Sequence, residues 1–283
     1  MTPVDAHIEL EPEEELPAWS LPAAEVEAVA LPGHWPAELS REWAWGGSTG
    51  AGVRVCILDS GVERDHPLVG PVQSAVHILV GEDGQAVVEE DEAGDLCGHG
   101  TACAGIVRAL APDCELHSVR VLGEGFTGSG PVLLEGLRWA VAQGFDVINM
   151  SLSTTKSGFA AGLHELADSA YFRRTILVAS AHNMPVESFP WRFSSVVSVA
   201  SHEERDPFVF YSNPRPPVEL FARGLDLEVA WLGGGRLRVT GNSFATPHIA
   251  GICALVLGKH AGLTPFQLKT VLMTTASNVG GGR

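Results

Sequence analysis

Uninterrupted apolar runs, each about as long as one strand, alternate with helix-like stretches along most of the chain. The runs predict buried strands at 53–58, 116–121, 146–150 and 175–180. Between them, patterns typical of helices begin at His99 and near residue 131, and a third covers about 159–171. Strands that alternate with helices favour a parallel sheet covered on both faces. We therefore predict an α/β fold, a three-layer, doubly wound, mostly parallel sheet.

The last third of the chain has a different pattern. Residues 195–240 read as further strands, with a glycine turn at 233–235. A long apolar helix follows, from Ile249 to Leu257, and a capping box at Thr264–Gln267 begins the last helix. With 283 residues and 45% hydrophobic content, the chain can bury one large core.

Acidic residues outnumber basic ones, and they are concentrated in two segments. The net charge is −16, with acidic clusters in the N-terminal tail and at 89–95. Contacts with phosphate need clustered Lys and Arg, so this balance argues against nucleic acid as a partner. We predict an acidic N-terminal extension at 1–42 that either covers a cleft or is disordered, and one folded domain at 43–283.

From the sequence we expect neither a secretory leader nor a membrane anchor. Residues 1–16 lack the basic flank and apolar run of a leader. No apolar segment approaches the ~20 residues that span a bilayer, so we expect no membrane partner. The five cysteines have a spacing typical of neither a zinc site nor a disulfide framework. We expect them to be reduced thiols in a cytoplasmic protein.

Three short motifs place an acid, a base and a nucleophile in that order along the chain. Asp59 ends the first buried strand, at the edge of the sheet where functional groups gather. His99 opens a helix between two glycines. Ser243 stands at the mouth of the long apolar helix, where a base and oxyanion donors would activate its hydroxyl. Each motif alone has an ordinary structural explanation, and their combination predicts a catalytic triad.

This order and these motifs resemble those of the subtilisin-like serine proteases, over about residues 43–279. The resemblance implies a subtilisin-like fold and a serine endopeptidase that forms an acyl-enzyme. It implies Asp59, His99 and Ser243 as the triad and a peptide or protein as the substrate. We expect no cofactor.

The resemblance also implies oxyanion donors and a substrate cleft. Asn183 follows a buried strand at the family's usual oxyanion position, and Asn242 stands where the family usually has threonine, so we expect both to donate to the oxyanion. The run 146–152 resembles the family strand that pairs with an extended substrate. The substrate-binding candidates are Leu122, Gly128, Leu133, Ser151, Leu152, Ser153, Ala181, His182 and Trp191.

Departures from the family pattern change the expected pocket for the residue before the cleaved bond, the P1 pocket. Ser153, Thr154 and His182 replace glycines, and Trp191 stands where a small residue commonly lines the base. We predict a small or unusually shaped P1 pocket, and from it a dedicated role in processing a precursor peptide. Two alternatives remain: a non-catalytic pseudoprotease that binds a peptide or partner in the cleft, and an esterase with the same triad.

Three further predictions concern regulation and local structure. The turn at 110–113 is too short for the family's usual calcium loop, and calcium takes about 6–8 oxygen ligands, so we predict no metal site there. The segment at 16–22 mixes apolar residues with prolines, which predicts autoinhibition by the chain's own N-terminal segment. Phe189–Pro190 resembles a family position that is often cis, and we predict a cis peptide bond.

Overall fold

The structure is a computed structural model that describes residue 20, residues 35–81 and residues 84–279. The chain divides into two compact units, Met1–Pro36 and Ala37–Arg283. Nearly all of the described residues belong to the second unit, and the account below concerns that unit alone. The predicted extension up to residue 34, including the inhibitory segment at 16–22, lies outside the described residues except for Ser20. The division between residues 42 and 43 stays a prediction.

A nine-stranded sheet forms the centre of the second unit, counted over the described residues. Its strands are β1 (Arg54–Asp59), β2 (Val72–Val80), β3 (Ala86–Glu90), β4 (Glu115–Arg120), β5 (Val147–Met150), β6 (Ile176–Ser180), β7 (Val197–His202), β8 (Phe210–Ser212) and β9 (Leu220–Arg223). They lie in the order β3-β2-β4-β1-β5-β6-β7-β9-β8, and all neighbours run parallel except the edge strands β3 and β8. A separate antiparallel hairpin joins β10 (Leu227–Trp231) to β11 (Gly235–Val239).

Helices cover both faces of this sheet. They are α1 (Arg41–Trp45), α2 (His99–Leu110), α3 (Gly130–Ala142), α4 (Ala160–Phe172), α5 (Asn242–Lys259) and α6 (Pro265–Thr275). Side chains of α3 and α4 share one core with Cys56 and Leu58 of β1. Because side chains alternate along a strand, Val55 and Ile57 point to the opposite face, where α2 and α5 pack together. The structure confirms the predicted three-layer, mostly parallel α/β fold.

The register of the sheet gathers the predicted site residues at the carboxyl ends of its central strands. β1 lies in the middle of the sheet, between β4 and β5, and ends at Asp59. β5 and β6 run in the same direction and lead directly into Ser151 and Ala181. The carboxyl ends of these parallel strands therefore open onto the same space, as expected for a ligand-binding edge.

The predicted parallel strands are all present, shifted by no more than a residue or two, whereas β2 and β3 were not predicted. β2 is only partly buried and carries polar side chains such as Gln73 and Ser74, and every residue of β3 is exposed. Neither strand therefore has the continuous apolar run of a buried strand. In the part of the chain described, no helix combines the length and apolar character of a membrane span.

Candidate active site

Asp59 is held at the end of β1 by backbone and side-chain contacts. Its side chain is fully buried, and its backbone oxygen accepts hydrogen bonds from the N–H groups of Val121 and Leu122, at 2.8 and 3.1 Å. Its Oδ1 accepts from the N–H of Ser60 at 2.8 Å. These contacts fix Asp59 at the carboxyl end of β1, independently of its contact with His99.

His99 is the first residue of α2, and a left-handed glycine sets its position. Gly98, the N-cap, has a φ of +88°, which favours glycine, and a Cβ there would stand 2.6 Å from the indole of Trp231. The backbone therefore turns sharply against that indole and brings His99 over the end of β1. The side chain is 11% exposed, so the imidazole is largely enclosed before any substrate binds.

Asp59 and His99 form a short hydrogen bond. Nδ1 of His99 donates to Oδ1 of Asp59 at 2.8 Å, and Oδ2 of Asp59 is buried with no partner among the described residues. Burial opposes the charged imidazolium, but the Asp59 carboxylate outweighs it and raises the pKa of His99 well above its ordinary value. With Nδ1 committed to Asp59, Nε2 is the nitrogen free to exchange a proton.

Ser243 is the second residue of α5, and its neighbours fix it in the cleft. Its backbone oxygen accepts a hydrogen bond from Ser151 Oγ at 2.7 Å, which ties the start of α5 to the end of β5. The ring of Phe244 lies 5.0 Å from the His99 ring, centroid to centroid. Ser243 Oγ and His99 line the same cleft, but within the described chain Oγ makes no hydrogen bond to the imidazole. Such bonds are often long or absent before substrate binds.

Asn183 places a free amide group beside Ser243. Its Oδ1 accepts from the N–H of Asn242 at 2.9 Å, which turns Nδ2 the other way. A Cβ built on Gly241 would lie 3.4 Å from Ser243 Oγ and 3.5 Å from Asn183 Nδ2. The two atoms thus face one small space that is open because residue 241 is glycine. Neither Nδ2 nor the N–H of Ser243 has a hydrogen-bond acceptor in the part described.

The side-chain amide of Asn242, which we predicted to donate to the oxyanion, is bonded to two other segments. Its Oδ1 accepts from the N–H and the hydroxyl of Ser201, at 2.9 and 2.8 Å, and its Nδ2 donates to the backbone oxygen of His182 at 3.3 Å. The amide is therefore committed to β7 and to the segment before Asn183. One N–H of Nδ2 therefore bonds to His182, and donation to the oxyanion by the second N–H stays a prediction.

A cleft of about 490 Å³ runs along the site and contains most of the predicted substrate-binding residues. Those that line it are Leu122, Gly128, Leu133, Ser151, Leu152, Ser153, Ala181 and His182. Trp191 is a correction to the prediction, because it does not line the cleft. It packs into the core beneath α3 and α4, and its Nε1 donates to Ser188 Oγ at 2.8 Å. The predicted cis bond at Phe189–Pro190 is confirmed.

Two features of the cleft were missed. Thr154 and Phe189 exchange a pair of backbone hydrogen bonds, both 2.9 Å, which hold the backbone next to Ser153. Phe126 stands edge-on to His99 at 5.7 Å, is 53% exposed, and has a φ of +60°. The one sequence signal for this contact was a phenylalanine in a glycine-rich loop after β4. The positive φ that orients its ring cannot be read from sequence.

A cysteine lies against the Asp59–His99 pair. Cys103 Sγ is 4.0 Å from His99 Nδ1, and burial raises the pKa of this thiol, so it is uncharged at neutral pH. The metal-binding atoms of Asp59, His99 and Cys103 all lie within 4.8 Å of one another. A metal ion there would have to break the Asp59–His99 hydrogen bond, so these residues fit the pair better than a metal centre.

Comparison with known proteins agrees with this geometry. A model described as the subtilase family matches residues 50–283. M-protease of Shouchella clausii (strain KSM-K16) is 30% identical over 83% of this chain, and the match covers 61% of that protein. Subtilisin Savinase of Lederbergia lenta is also 30% identical over 83% of this chain, and the match covers 87% of that protein.

A solved structure has the same architecture. The crystal structure of a cold adapted subtilisin-like serine proteinase matches 82% of this chain and 87% of that chain, with 29% identity and a TM-score of 0.63. The family match extends from residue 50 to residue 283, well over half of the chain, and includes Asp59, His99 and Ser243. The chain therefore belongs to the subtilase family.

Proposed function

We propose that the protein is a serine endopeptidase that cleaves peptide bonds through Asp59, His99 and Ser243. The observation that carries the proposal is the 2.8 Å hydrogen bond between Asp59 and His99 in the cleft that also contains Ser243. The match covers only 61% of the length of M-protease, so the activity of such relatives supports this proposal by similarity alone.

The mechanism follows from the atoms in the cleft that have no hydrogen-bond partner among the described residues. Asp59 holds Nδ1 of His99, so Nε2 takes the proton of Ser243 as its oxygen attacks the scissile carbonyl. Asn183 Nδ2 and the Ser243 N–H hold the oxyanion that forms, and the loss of one such donor costs about 3–4 kcal/mol. His99 then gives its proton to the leaving amine, and water hydrolyses the acyl-enzyme.

We further propose that substrates are extended peptides with a small side chain at P1, and that the enzyme processes a dedicated precursor peptide. Ser153, Thr154 and His182 line the cleft, and a backbone pair between Thr154 and Phe189 fixes its wall at Thr154. Side chains at these positions, in place of glycines, support a preference for a few sequences over general degradation. A peptide library with varied P1 residues tests this, and equal cleavage after small and large residues would contradict it.

A reducing compartment, the cytoplasm, is the setting we propose. All five cysteines are free thiols, and four of them are buried. Free thiols at all five positions support a structure that does not use disulfides. Unchanged stability on adding a reductant is expected, and destabilisation would contradict this setting.

Autoinhibition by the N-terminal segment is a further proposal, for residues outside the described part of the chain. It rests on the apolar and proline-rich composition at 16–22, which suits a segment that occupies a peptide cleft. Deletion of residues 1–32 should raise the rate of peptide hydrolysis. An unchanged rate would show that the extension does not inhibit.

The alternative function is a protein that binds a peptide or partner without cleaving it. The absence of a Ser243–His99 hydrogen bond in the described cleft is the observation that favours it. Matched ester and amide peptides, assayed with the native protein and with Ser243→Ala, separate the possibilities. Cleavage of both that is lost in the variant supports the endopeptidase, cleavage of the ester alone supports an esterase, and tight binding without cleavage supports the alternative.

A further inference from the structure

A second cavity lies between the later half of α2 and the strand β10. Its volume is about 430 Å³, and it shares no lining residue with the cleft. Most of its wall is apolar and includes Pro67, Leu68, Ile106, Leu110, Leu227 and Val229. We call it the α2–β10 cavity. Its size and apolar wall are those of a small-molecule site, which also needs a few well-placed polar groups.

His248 supplies one of these polar groups. It lies on α5, is 4% exposed, and its Nδ1 donates to the backbone oxygen of Phe244 at 2.9 Å. Burial lowers the pKa of His248 to about 4, so the ring is neutral at pH 7. Nε2 is then a hydrogen-bond acceptor. It has no partner among the described residues, and it is not sealed from the cavity.

Arg223 supplies a matching donor. It is half-buried at the end of β9, lines the cavity, and makes no hydrogen bond or ion pair in the described part of the protein. The other charged residues of the wall are already engaged. Arg108 donates to four backbone oxygens, and Glu228 pairs with Arg236 at 2.7 Å. Arg223 and His248 are therefore the polar groups left for a ligand.

We propose that the α2–β10 cavity binds an apolar molecule that carries a carboxamide, with the amide oxygen on Arg223 and the amide N–H on Nε2 of His248. The complementarity selects this class. A carboxylate offers Arg223 an acceptor but gives Nε2 no donor, and a hydrocarbon covers both groups without giving either a hydrogen-bond partner. The site is separate from the proposed peptidase function and does not depend on it.

The test uses N-acetyl-L-leucinamide as the probe, with the full chain carrying Ser243→Ala so that no hydrolysis intervenes. The readout is the ¹⁵N resonance of the His248 imidazole, which responds when Nε2 accepts a hydrogen bond. We expect a saturable shift with a dissociation constant of about 1 mM. N-acetyl-L-leucine, the matched carboxylate, should bind about tenfold more weakly or not at all.

Arg223→Met puts an apolar side chain of similar length in place of the arginine and removes the hydrogen-bond donor. It should therefore weaken binding of the amide by about tenfold. Arg205→Met is the matched control, because Arg205 is exposed and lies outside the cavity wall, and it should leave binding unchanged. No shift at His248, equal affinity in Arg223→Met, or tighter binding of the carboxylate would each overturn the proposal. Because the readout is binding at His248, its failure is distinct from a failure of peptide hydrolysis.

Discussion

Asp95 and Ser60 join the loop before α2 to the residue that follows Asp59. Ser60 Oγ donates to Asp95 Oδ1 at 2.8 Å and accepts from the N–H of Gly100 at 3.0 Å. The same carboxylate also accepts from the N–H groups of Cys97, Gly98 and Thr101 and from the Thr101 hydroxyl, all at 2.6 to 2.9 Å. One buried carboxylate thus holds the backbone on both sides of His99 and ties it to the end of β1.

Asp95→Asn should therefore harm both stability and catalysis. The amide presents an N–H₂ group to donors that need an acceptor, so we expect the free energy of unfolding to fall by about 2–4 kcal/mol. At a temperature well below unfolding, kcat should still fall, because His99 is no longer held against Asp59 at the end of β1. Thermal unfolding and peptide hydrolysis measure the two effects.

Asp91→Asn is the matched control for the loss of a buried carboxylate. The Asp91 carboxylate pairs with Arg120 through two hydrogen bonds, at 2.9 and 3.0 Å, and among the described residues it makes none to residues 95–101. This variant should lose stability and keep its kcat. If Asp95→Asn behaves in the same way, Asp95 stabilises the fold without positioning His99.

Asp59→Asn should lower kcat/KM and move its pH dependence. In the native protein the carboxylate raises the pKa of His99, so the base becomes neutral, and active, only at a higher pH. Without it the pKa of His99 falls, and the acidic limb of the kcat/KM profile moves to lower pH. The maximum should drop by about 10⁴-fold, since the imidazole loses its correct tautomer. An acidic limb that stays in place or moves up would contradict the assigned role of Asp59.

Gly241→Ala should lower kcat and leave the fold intact. The added methyl would make ordinary contacts of 3.4 and 3.5 Å with Ser243 Oγ and Asn183 Nδ2, and it fills the small space that these two atoms face. We expect kcat to fall by about 100-fold with little change in the melting temperature. Gly158→Ala is the control, because its new Cβ would meet nothing within 4 Å. An unchanged kcat in Gly241→Ala would move the oxyanion site elsewhere.

Thr154→Gly should widen the range of P1 residues that the enzyme accepts. The change removes a side chain from the cleft wall and keeps the backbone pairing with Phe189. Thr155→Gly is the matched control for backbone freedom, because Thr155 is exposed and lies outside the wall. Cleavage after large residues should rise in the first variant alone. A P1 preference that is the same in both would show that Thr154 does not limit the pocket.

The parallel strands and the order of the triad could be predicted because each leaves a strong local signal. A strand buried on both faces must be apolar throughout, as residues 55–58 of β1 are, and Asp59 is the first carboxylate after that run. Ser243 is marked in the same way by the long apolar helix that follows it. Such signals depend only on neighbouring residues in the sequence, so they can be recognised without knowledge of the fold.

The direction in which the side chains of Asn242 and Trp191 point could not be predicted. Asn242 has a donor and an acceptor on one amide, and Ser201, distant in sequence, decides which way it faces. Trp191 follows the turn at Pro190, and its indole turns into the core because Ser188 satisfies its N–H. Both outcomes depend on contacts that exist only after folding.

The central claim is that Ser243 is an activated nucleophile, and covalent labelling tests it most directly. The native protein is treated with a fluorophosphonate probe, with and without residues 1–32, and the adduct is located by peptide mass spectrometry. We predict an adduct on Ser243 and none in folded Ser243→Ala. Folded protein that forms no adduct on Ser243 in either version would contradict the claim.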